Sequence, residues 1–417
     1  MDRIDEIMFG KSICKDYEVL KPGYTPKDIS EVKHRERIID KYSIHMRPVL
    51  QNTPPSNLFL YGKSGTGKTL ITNLMLNKTE TLARKMGINF LSVVINCQEI
   101  RTDSKILRSM SDHIAKTLNV KPAKRNNDFG DFFEWFCKLV NMYGGIVNIV
   151  FDEIDKIKNP DLINSFSRMV ENQYTHRNIS LICIANDLNF RDRLDGRTLN
   201  VLCEDELTFV PYDAEQLGDI LRARATLAFE PDVLDDTVIQ LCAAYAAQEK
   251  GDARTAIELL RRSSRIAEDR FSKNITEEDV KVAHVKIEEE RIEAVLESLP
   301  TQSKIVLLSI LFRKTKLQEK TSTTGMIYEI YKRMCIKCDV DVLSQRRVTD
   351  LIIELDQLGM AQAIIVSKGR YGRTREIASQ IQKPHLKSLA KDARIKAILD
   401  FDQIAKEYRM QSKQSHL

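Results

Sequence analysis

The sequence predicts an α/β domain built around a parallel sheet, followed by an all-helical region and a smaller C-terminal domain of helices and a hairpin. Four apolar runs, at 57–61, 90–96, 146–151 and 180–185, have the length of buried strands and alternate with helical patterns, as in βαβ units. Beyond residue 205 the apolar spacing becomes helical. A chain of 417 residues has room for two or three domains, each with its own core.

The composition is that of a folded protein, with 42% hydrophobic and 29% charged residues. No apolar run approaches the ~20 residues of a membrane-spanning helix. The N-terminus carries acids where a signal peptide would carry an apolar segment. We therefore expect a cytoplasmic protein with no membrane partner. From the order of the strand and helix patterns we expect its domains at 1–205, 206–290 and 291–417.

A phosphate-binding loop follows the first predicted strand. Residues 62–69 match the pattern G-x-x-x-x-G-K-[ST], and a helical pattern begins directly after them. The glycines let backbone N–H groups curl around the β- and γ-phosphates, Lys68 adds a positive charge, and the Thr69 hydroxyl can ligate Mg²⁺. The sequence therefore predicts a site for ATP or ADP with Mg²⁺, formed by Gly62, Ser64, Gly65, Thr66, Gly67, Lys68, Thr69 and Leu70.

Polar residues follow the third and fourth predicted strands. Asp152 and Glu153 end the third run, where they would face the phosphates across the edge of the sheet. We expect Asp152 to hold Mg²⁺ together with Thr69, and Glu153 to orient or deprotonate the attacking water. Asn186, after the fourth run, is a candidate to hydrogen-bond that water or the γ-phosphate, although a surface turn is the plain alternative for each position.

Two arginines follow in a loop, and either could reach the γ-phosphate of a neighbouring subunit. Arg197 is the preferred candidate and Arg193 is the alternative. A solvated loop arginine is the common case at such positions.

The region after residue 205 predicts a helical lid. Residues 211–213 end one element and cap a helix that carries Arg224, and Gly-Asp-Ala-Arg at 251–254 precedes another. The eight cysteines are scattered, several inside apolar runs, which favours reduced core thiols. Cys335 and Cys338 form a C-x-x-C, but they fall on a helical pattern, so helix packing is favoured over zinc.

Positive charge is concentrated at the C-terminal end of the chain. From residue 291 onward there are 23 Lys/Arg against 14 Asp/Glu, a balance of +9, whereas the whole chain has a net charge of +5 and its first 290 residues therefore −4. This asymmetry is typical of a nucleic-acid-binding module attached to an enzyme-like core. A solvated basic face is the alternative.

The basic region has the pattern of a winged helix. Three helices are predicted at 304–312, 324–335 and 345–358, followed by an extended pair around 362–366 and 376–377. The third helix would be the recognition helix, and the basic tip between the strands would be the wing. Winged helices also serve as protein-interaction modules. The DNA-binding candidates are Gln345, Arg346 and Arg347 on the helix, and Lys368, Arg370, Arg373 and Arg375 on the wing.

The order of these motifs resembles AAA+ ATPases, specifically the archaeal replication initiators related to the eukaryotic origin recognition complex. The resemblance covers nearly the whole chain. Besides Asp-Glu-Ile-Asp at 152–155, it rests on Tyr-Thr-Pro at 24–26, His-Arg-Glu-Arg at 34–37, the segment 211–217 and the wing sequence 369–377. It implies an α/β AAA+ P-loop core with a helical lid, followed by a C-terminal winged-helix domain.

The resemblance also implies roles for individual residues. The N-terminal segment would flank the adenine, and Tyr212 and Arg224 would line the nucleotide from the lid. Arg254 would be a second sensor that touches the phosphates. The sequence departs from the family at 195–197, where Asp-Gly-Arg replaces the usual Asp-Pro-Arg. This departure affects the role of Arg197 as the arginine finger, the arginine that reaches the γ-phosphate of a neighbouring subunit.

The function implied is that of an ATP-dependent initiator that binds double-stranded origin DNA and helps load a replicative helicase of the minichromosome maintenance type. ATP would act as a switch with weak hydrolysis, and other initiator copies are further implied partners. A basic loop at 121–126 lies within the 100–145 insertion that contacts DNA in the family, although a solvated loop fits it equally. A transcription regulator would usually add a repeat-rich sensor region, and a clamp loader would carry a collar in place of the winged helix.

Overall fold

The four predicted strands are present and lie in one parallel sheet with a fifth strand. They are β1 (Leu58–Gly62), β2 (Phe90–Asn96), β3 (Ile146–Asp152), β4 (Ile179–Ala185) and β5 (Asp205–Phe209), in the order β2-β3-β4-β1-β5. Every residue of β3 and β4 is buried, because helices cover both faces of the sheet. β5 was not predicted: it is an edge strand that begins with two exposed acids and lacks a continuous apolar run.

This architecture comes from a computed structural model that describes residues 12–122, 129–159, 162–163, 165–166, 178–249, 251–367, 373–381, 389, 393–396, 398–399, 401–402 and 404–405. The chain divides into two units, Met1–Ala283 and His284–Leu417, and each is described by itself. Among the described residues, no helix is long and apolar enough to cross a membrane.

Alternate residues of the central strands pack against helices on opposite faces of the sheet. Leu58 and Leu60 of β1 join the apolar cluster that contains residues of the first two helices, while Phe59 joins the cluster of the third and fourth. Among the residues described in this part of the first unit, the helices include α1 (Glu36–Met46), α2 (Lys68–Lys85), α3 (Asp103–Thr117), α4 (Phe129–Tyr143) and α5 (Gly196–Leu202).

Helices follow the sheet, as the sequence predicts for the lid. They are α6 (Ala214–Ala228), α7 (Asp236–Glu249), α8 (Ala253–Asp269) and α9 (Glu277–Ser298), and the division between the two units falls within α9. Asp213 caps α6 in a capping box with Gln216, and Asp252 caps α8 by accepting the N–H of Arg254.

The N-terminal segment from residue 12 to residue 24 is held by the lid helices. The N–H of Lys15 donates to the Ala228 carbonyl at 2.7 Å. Glu268 of α8 accepts the N–H of Ile13 at 3.0 Å and also bonds the Tyr17 hydroxyl. A segment that precedes the sheet in sequence is therefore fastened to the lid.

The second unit contains the predicted helices and hairpin. Its elements are α10 (Thr301–Lys316), β6 (Ser322–Thr323), α11 (Thr324–Lys337), α12 (Gln345–Gln357), β7 (Ala361–Ser367), β8 (Arg373–Ser379) and α13 (Ala393–Lys396). The strands are antiparallel in the order β6-β8-β7. Cys335 and Cys338 are both buried in the apolar core that α10, α11 and α12 share.

Candidate nucleotide-binding site

A cleft of about 720 Å³ lies in the first unit between the phosphate-binding loop, the strand ends and the lid. Residues 22–26, at the end of the N-terminal segment and directly after it, also line the cleft. Gly62, Thr66 and Asp152 do not line the cleft directly, and the side chain of Arg197 lies outside the described residues. The predicted residues that do line it are Ser64, Gly65, Gly67, Lys68, Thr69, Leu70, Glu153, Asn186, Tyr212, Arg224 and Arg254.

The loop backbone has the form that an anion site requires. Gly65 and Gly67 have φ values of +76° and +94°, in the left-handed region that favours glycine. Gly67 is the N-cap of α2, and no side chain caps that helix. The first N–H groups of α2 therefore lack a side-chain acceptor at a terminus that carries partial positive charge, which suits phosphate oxygens.

Lys68 is a buried cation held by main-chain oxygens. Its Nζ donates to the carbonyls of Gly62 and Lys63 at 2.7 and 2.8 Å, and the residue is 4% exposed. Burial lowers the pKa of Lys68 to about 8, against the opposing effect of the Asp152 carboxylate nearby. The charged form is thus costly until an anion approaches.

Thr69 and Asp152 are in contact, as their predicted role in Mg²⁺ binding requires. The Thr69 hydroxyl lies 3.1 and 3.0 Å from the two carboxylate oxygens of Asp152. Burial raises the pKa of Asp152, while the hydrogen bond from Thr69 opposes that rise. A hydroxyl beside a carboxylate is an oxygen donor set of the kind that Mg²⁺ takes when it also binds phosphates, so these residues fit the ion.

Glu153 has an unusual backbone for its residue type. Its φ is +54°, which costs a residue with a side chain about 1 kcal/mol or more, and such outliers are enriched at functional sites. Its Oε2 is buried and has no hydrogen-bond partner among the described residues. A strained glutamate with a free carboxylate oxygen at the cleft is placed to bind and orient a water molecule.

Asn186 is held beside the acidic pair by a residue whose role sequence reasoning missed. The Asp155 carboxylate accepts the N–H of Asn186 at 3.0 Å. The Asp155 carbonyl accepts from Nη1 of Arg193 at 3.2 Å, so Arg193 is engaged within its own chain. In the sequence, the one sign of this role is that a further aspartate, Asp155, follows the Asp152–Glu153 pair.

The lid supplies a second set of cations. The Arg224 guanidinium lies 4.2 Å from the centre of the Tyr24 ring, which ties α6 to the N-terminal segment at the cleft. Arg254 lies in the first turn of α8, and its charge contributes to the lowered pKa of Lys68. Tyr212 approaches the loop closely, since a Cβ added at Gly67 would lie 3.4 Å from its hydroxyl.

The predicted recognition helix begins with three exposed residues. Gln345, Arg346 and Arg347 form the first turn of α12, which Ser344 caps by accepting the N–H of Arg347 at 3.3 Å. Arg347 lies 3.8 Å from Asp350 and 3.6 Å from Glu354 on its own helix, whereas Arg346 forms no ion pair with any residue that the structure describes. Arg346 is therefore the freer of the two arginines.

The wing is described only in part. Arg375 is half-buried in β8, where it pairs with Ile365. Arg373 begins β8, but its side chain lies outside the described residues, as do Lys368, Arg370 and residues 123–126 of the basic loop predicted at 121–126.

Comparisons with known proteins agree on one family. Family models match for an AAA domain at residues 51–194, a Cdc6 AAA+ ATPase-type lid domain at 218–285 and a CDC6 C-terminal winged helix domain at 294–388. The ORC1-type DNA replication protein 1 of Methanosarcina acetivorans is 41% identical over 401 residues, which are 95% of each chain. The ORC1-type DNA replication protein of Thermococcus kodakarensis is 38% identical over 399 residues, again 95% of each.

Solved structures agree with this result. The Aeropyrum pernix ORC1 protein, determined in complex with DNA, matches with a TM-score of 0.78 and 36% identity over 93% of this chain and 100% of that one. The resemblance and the fold class predicted from the motifs are confirmed. With its AAA+ core, helical lid and winged helix in this order, the chain belongs to the archaeal Orc1/Cdc6 family of AAA+ ATPases.

Proposed function

We propose that this protein is an ATP-dependent replication initiator that binds duplex origin DNA and helps load the replicative helicase. One observation carries the proposal: the same chain has a cleft suited to phosphates and a helix that begins with exposed arginines, and it resembles ORC1-type DNA replication proteins over nearly its whole length. The helicase, of the minichromosome maintenance type, and other initiator copies are the partners that this function requires.

Main-chain N–H groups at the start of α2 and the Lys68 ammonium would hold the phosphates. Thr69 and Asp152 would hold Mg²⁺, which when bound neutralises phosphate charge and polarises the γ-phosphoryl group. Glu153 would accept a proton from the attacking water, and Asn186 would orient that water or the phosphate. Arg254 would contact the phosphates from the lid. Arg197 of a neighbouring copy would reach the γ-phosphate.

ATP would serve as a switch because both the core and the lid line the cleft. A ligand that contacts both can shift the lid only if it binds more tightly to one lid position than to the other. Such a shift is an effect of binding and does not require rapid ATP turnover. A weak ATPase activity is consistent with such a role. The domains expected at 1–205, 206–290 and 291–417 would then act as sensor, lid and DNA-binding module.

Arg346 and the wing would contribute differently to DNA binding. An arginine at the start of a recognition helix reaches base edges in the major groove, whereas wing cations contact phosphates or the minor groove. Gln345 and Arg347 would contact DNA beside Arg346. The wing contacts would come from Lys368, Arg370, Arg373 and Arg375. The 100–145 insertion is a further candidate DNA contact.

ATP affinity should fall as the pH rises through about 8, because the loop needs the charged form of Lys68. With a pKa of about 8, the charged fraction in the free protein drops about tenfold between about pH 7 and pH 9, and affinity should follow. Calorimetric titration checks this. Lys68→Arg, which stays charged, should remove the dependence, and Lys68→Ala should bind at least about tenfold more weakly at neutral pH. If ATP affinity fell with pH in Lys68→Arg and Lys68→Ala as it does in the wild type, the titrating group would be one other than Lys68.

Glu153→Gln should separate binding from hydrolysis. The amide keeps the shape of the side chain but cannot accept the proton, so hydrolysis should fall by about 10² or more while ATP affinity stays within about threefold. Single-turnover assays with saturating protein measure the chemical step. Glu99→Gln, at an exposed glutamate, is the control and should hydrolyse ATP like the wild type. Normal hydrolysis by Glu153→Gln would refute the role of Glu153.

Arg346→Ala and the double variant Arg370→Ala/Arg373→Ala should have different signatures on DNA. Loss of a base contact should cost about 1–3 kcal/mol at an origin site and little on scrambled duplex. Loss of two wing cations should weaken binding to both duplexes and reduce the salt slope by about two. Titrations at several salt concentrations distinguish them, with Lys281→Ala in the first unit as the charge control. A wing variant that binds both duplexes like the wild type would indicate a protein-interaction module instead.

A further inference from the structure

Arg35 is a buried arginine that contacts the phosphate-binding loop from outside the cleft. It is 6% exposed, directly precedes α1 and does not line the cleft. Its Nε donates to the carbonyl of Thr66 at 3.2 Å, and its Nη1 donates to the carbonyl of His34 at 3.2 Å. The guanidinium is thus attached to the loop through main-chain atoms alone.

The same guanidinium contacts the connection between the sheet and the lid. Its Nη2 donates to the carbonyl of Val210 at 2.7 Å, and its Cζ lies over the Tyr212 ring, 3.7 Å from the ring centre. Tyr212 in turn donates its N–H to the carbonyl of Gly251 at 3.2 Å, directly before the cap of α8. Arg35 therefore joins the loop, the β5–α6 connection and, through Tyr212, the start of α8.

The energetics favour keeping these contacts together. A buried cation is costly unless acceptors surround it, and here the acceptors are carbonyls from the loop and from the lid connection, together with an aromatic face. If either segment moves away, the guanidinium loses one of these acceptors. The loop and the lid connection are thus stable as a pair.

The bond to Thr66 also acts on the anion site. The Thr66 carbonyl and the Gly67 N–H belong to one peptide unit, and Gly67 lines the cleft. A cation on the oxygen of a peptide polarises it and makes its N–H a stronger donor. Arg35 therefore strengthens a phosphate-binding group without touching the nucleotide.

We propose that Arg35 is a positioning residue that holds the phosphate-binding loop in its anion-binding form and couples it to the lid through Val210 and Tyr212. The inference rests on the proposed nucleotide binding, because the loop it supports is the proposed phosphate site. It assigns the link between occupancy and lid position to a residue outside the cleft.

The first test uses the nucleotide-free full-length protein. In Arg35→Gln, backbone amide hydrogen exchange should be at least about tenfold faster than in the wild type in peptides covering residues 63–69 and 209–214. Arg37→Gln, at an exposed arginine on α1, is the matched control and should leave both peptides unchanged. Unchanged exchange in Arg35→Gln would overturn the coupling, whether or not the protein binds nucleotide.

Arg35→Lys separates charge from geometry and guards against misfolding of the glutamine variant. Lysine keeps the buried charge but cannot stack on Tyr212 while donating to both Thr66 and Val210. It should fold with wild-type circular dichroism and still lose protection at 209–214. Full protection of both segments in Arg35→Lys would show that charge alone suffices and would overturn the proposed link.

The second test is a double-mutant cycle on ATP affinity. Arg35→Gln should weaken binding by about tenfold and Tyr212→Leu by more, since Tyr212 also lines the cleft, and the double variant should bind no more than about threefold more weakly than Tyr212→Leu, because that change already breaks the link. A double variant as weak as the product of the two single effects would overturn the coupling. Wild-type protein that binds no ATP would refute the proposed function instead, and the exchange test would still decide the role of Arg35.

Discussion

The site depends on one constraint, which is that β3, β4 and β1 are adjacent and parallel. Their carboxyl ends must therefore meet at one edge of the sheet. The register pairs Phe151 with Cys183 and Tyr61 with Ala185. This brings the Asp152–Glu153 pair, Asn186 and the start of the phosphate-binding loop to that edge, although they are far apart in sequence. No local motif could place them together without this strand order.

Near this edge the protein buries two cations. Lys68 and Arg35 are both nearly inaccessible, and both donate to main-chain carbonyls. Carbonyl dipoles offset only part of the cost of removing a cation from water, and the lowered pKa of Lys68 reflects the remainder. A phosphate group would add negative charge to that of the Asp152 carboxylate beside Lys68. The loop is therefore prepared for an anion in its geometry and in its electrostatics.

The sequence predicts what depends on local pattern and misses what depends on distant contacts. β1 to β4, the loop and the winged-helix elements follow from apolar runs, glycine spacing and caps. Asp155 and Arg35 carry no such signal, because their partners Asn186 and Val210 lie 31 and 175 positions further along the chain. The acidic edge strand β5 was missed for the related reason that its stability comes from pairing with β1.

The N-terminal segment shows how the cleft divides between two bodies. Residues 12–24 are fastened to α6 and α8 through Ala228 and Glu268, and the Tyr24 ring is stacked with Arg224. The wall that they form thus belongs physically to the lid, whereas the phosphate-binding loop and strand ends belong to the sheet. A nucleotide that fills the cleft must contact both bodies. Occupancy would be linked to the position of the lid to the extent that these contacts differ between lid positions, which is the condition for the proposed binding switch.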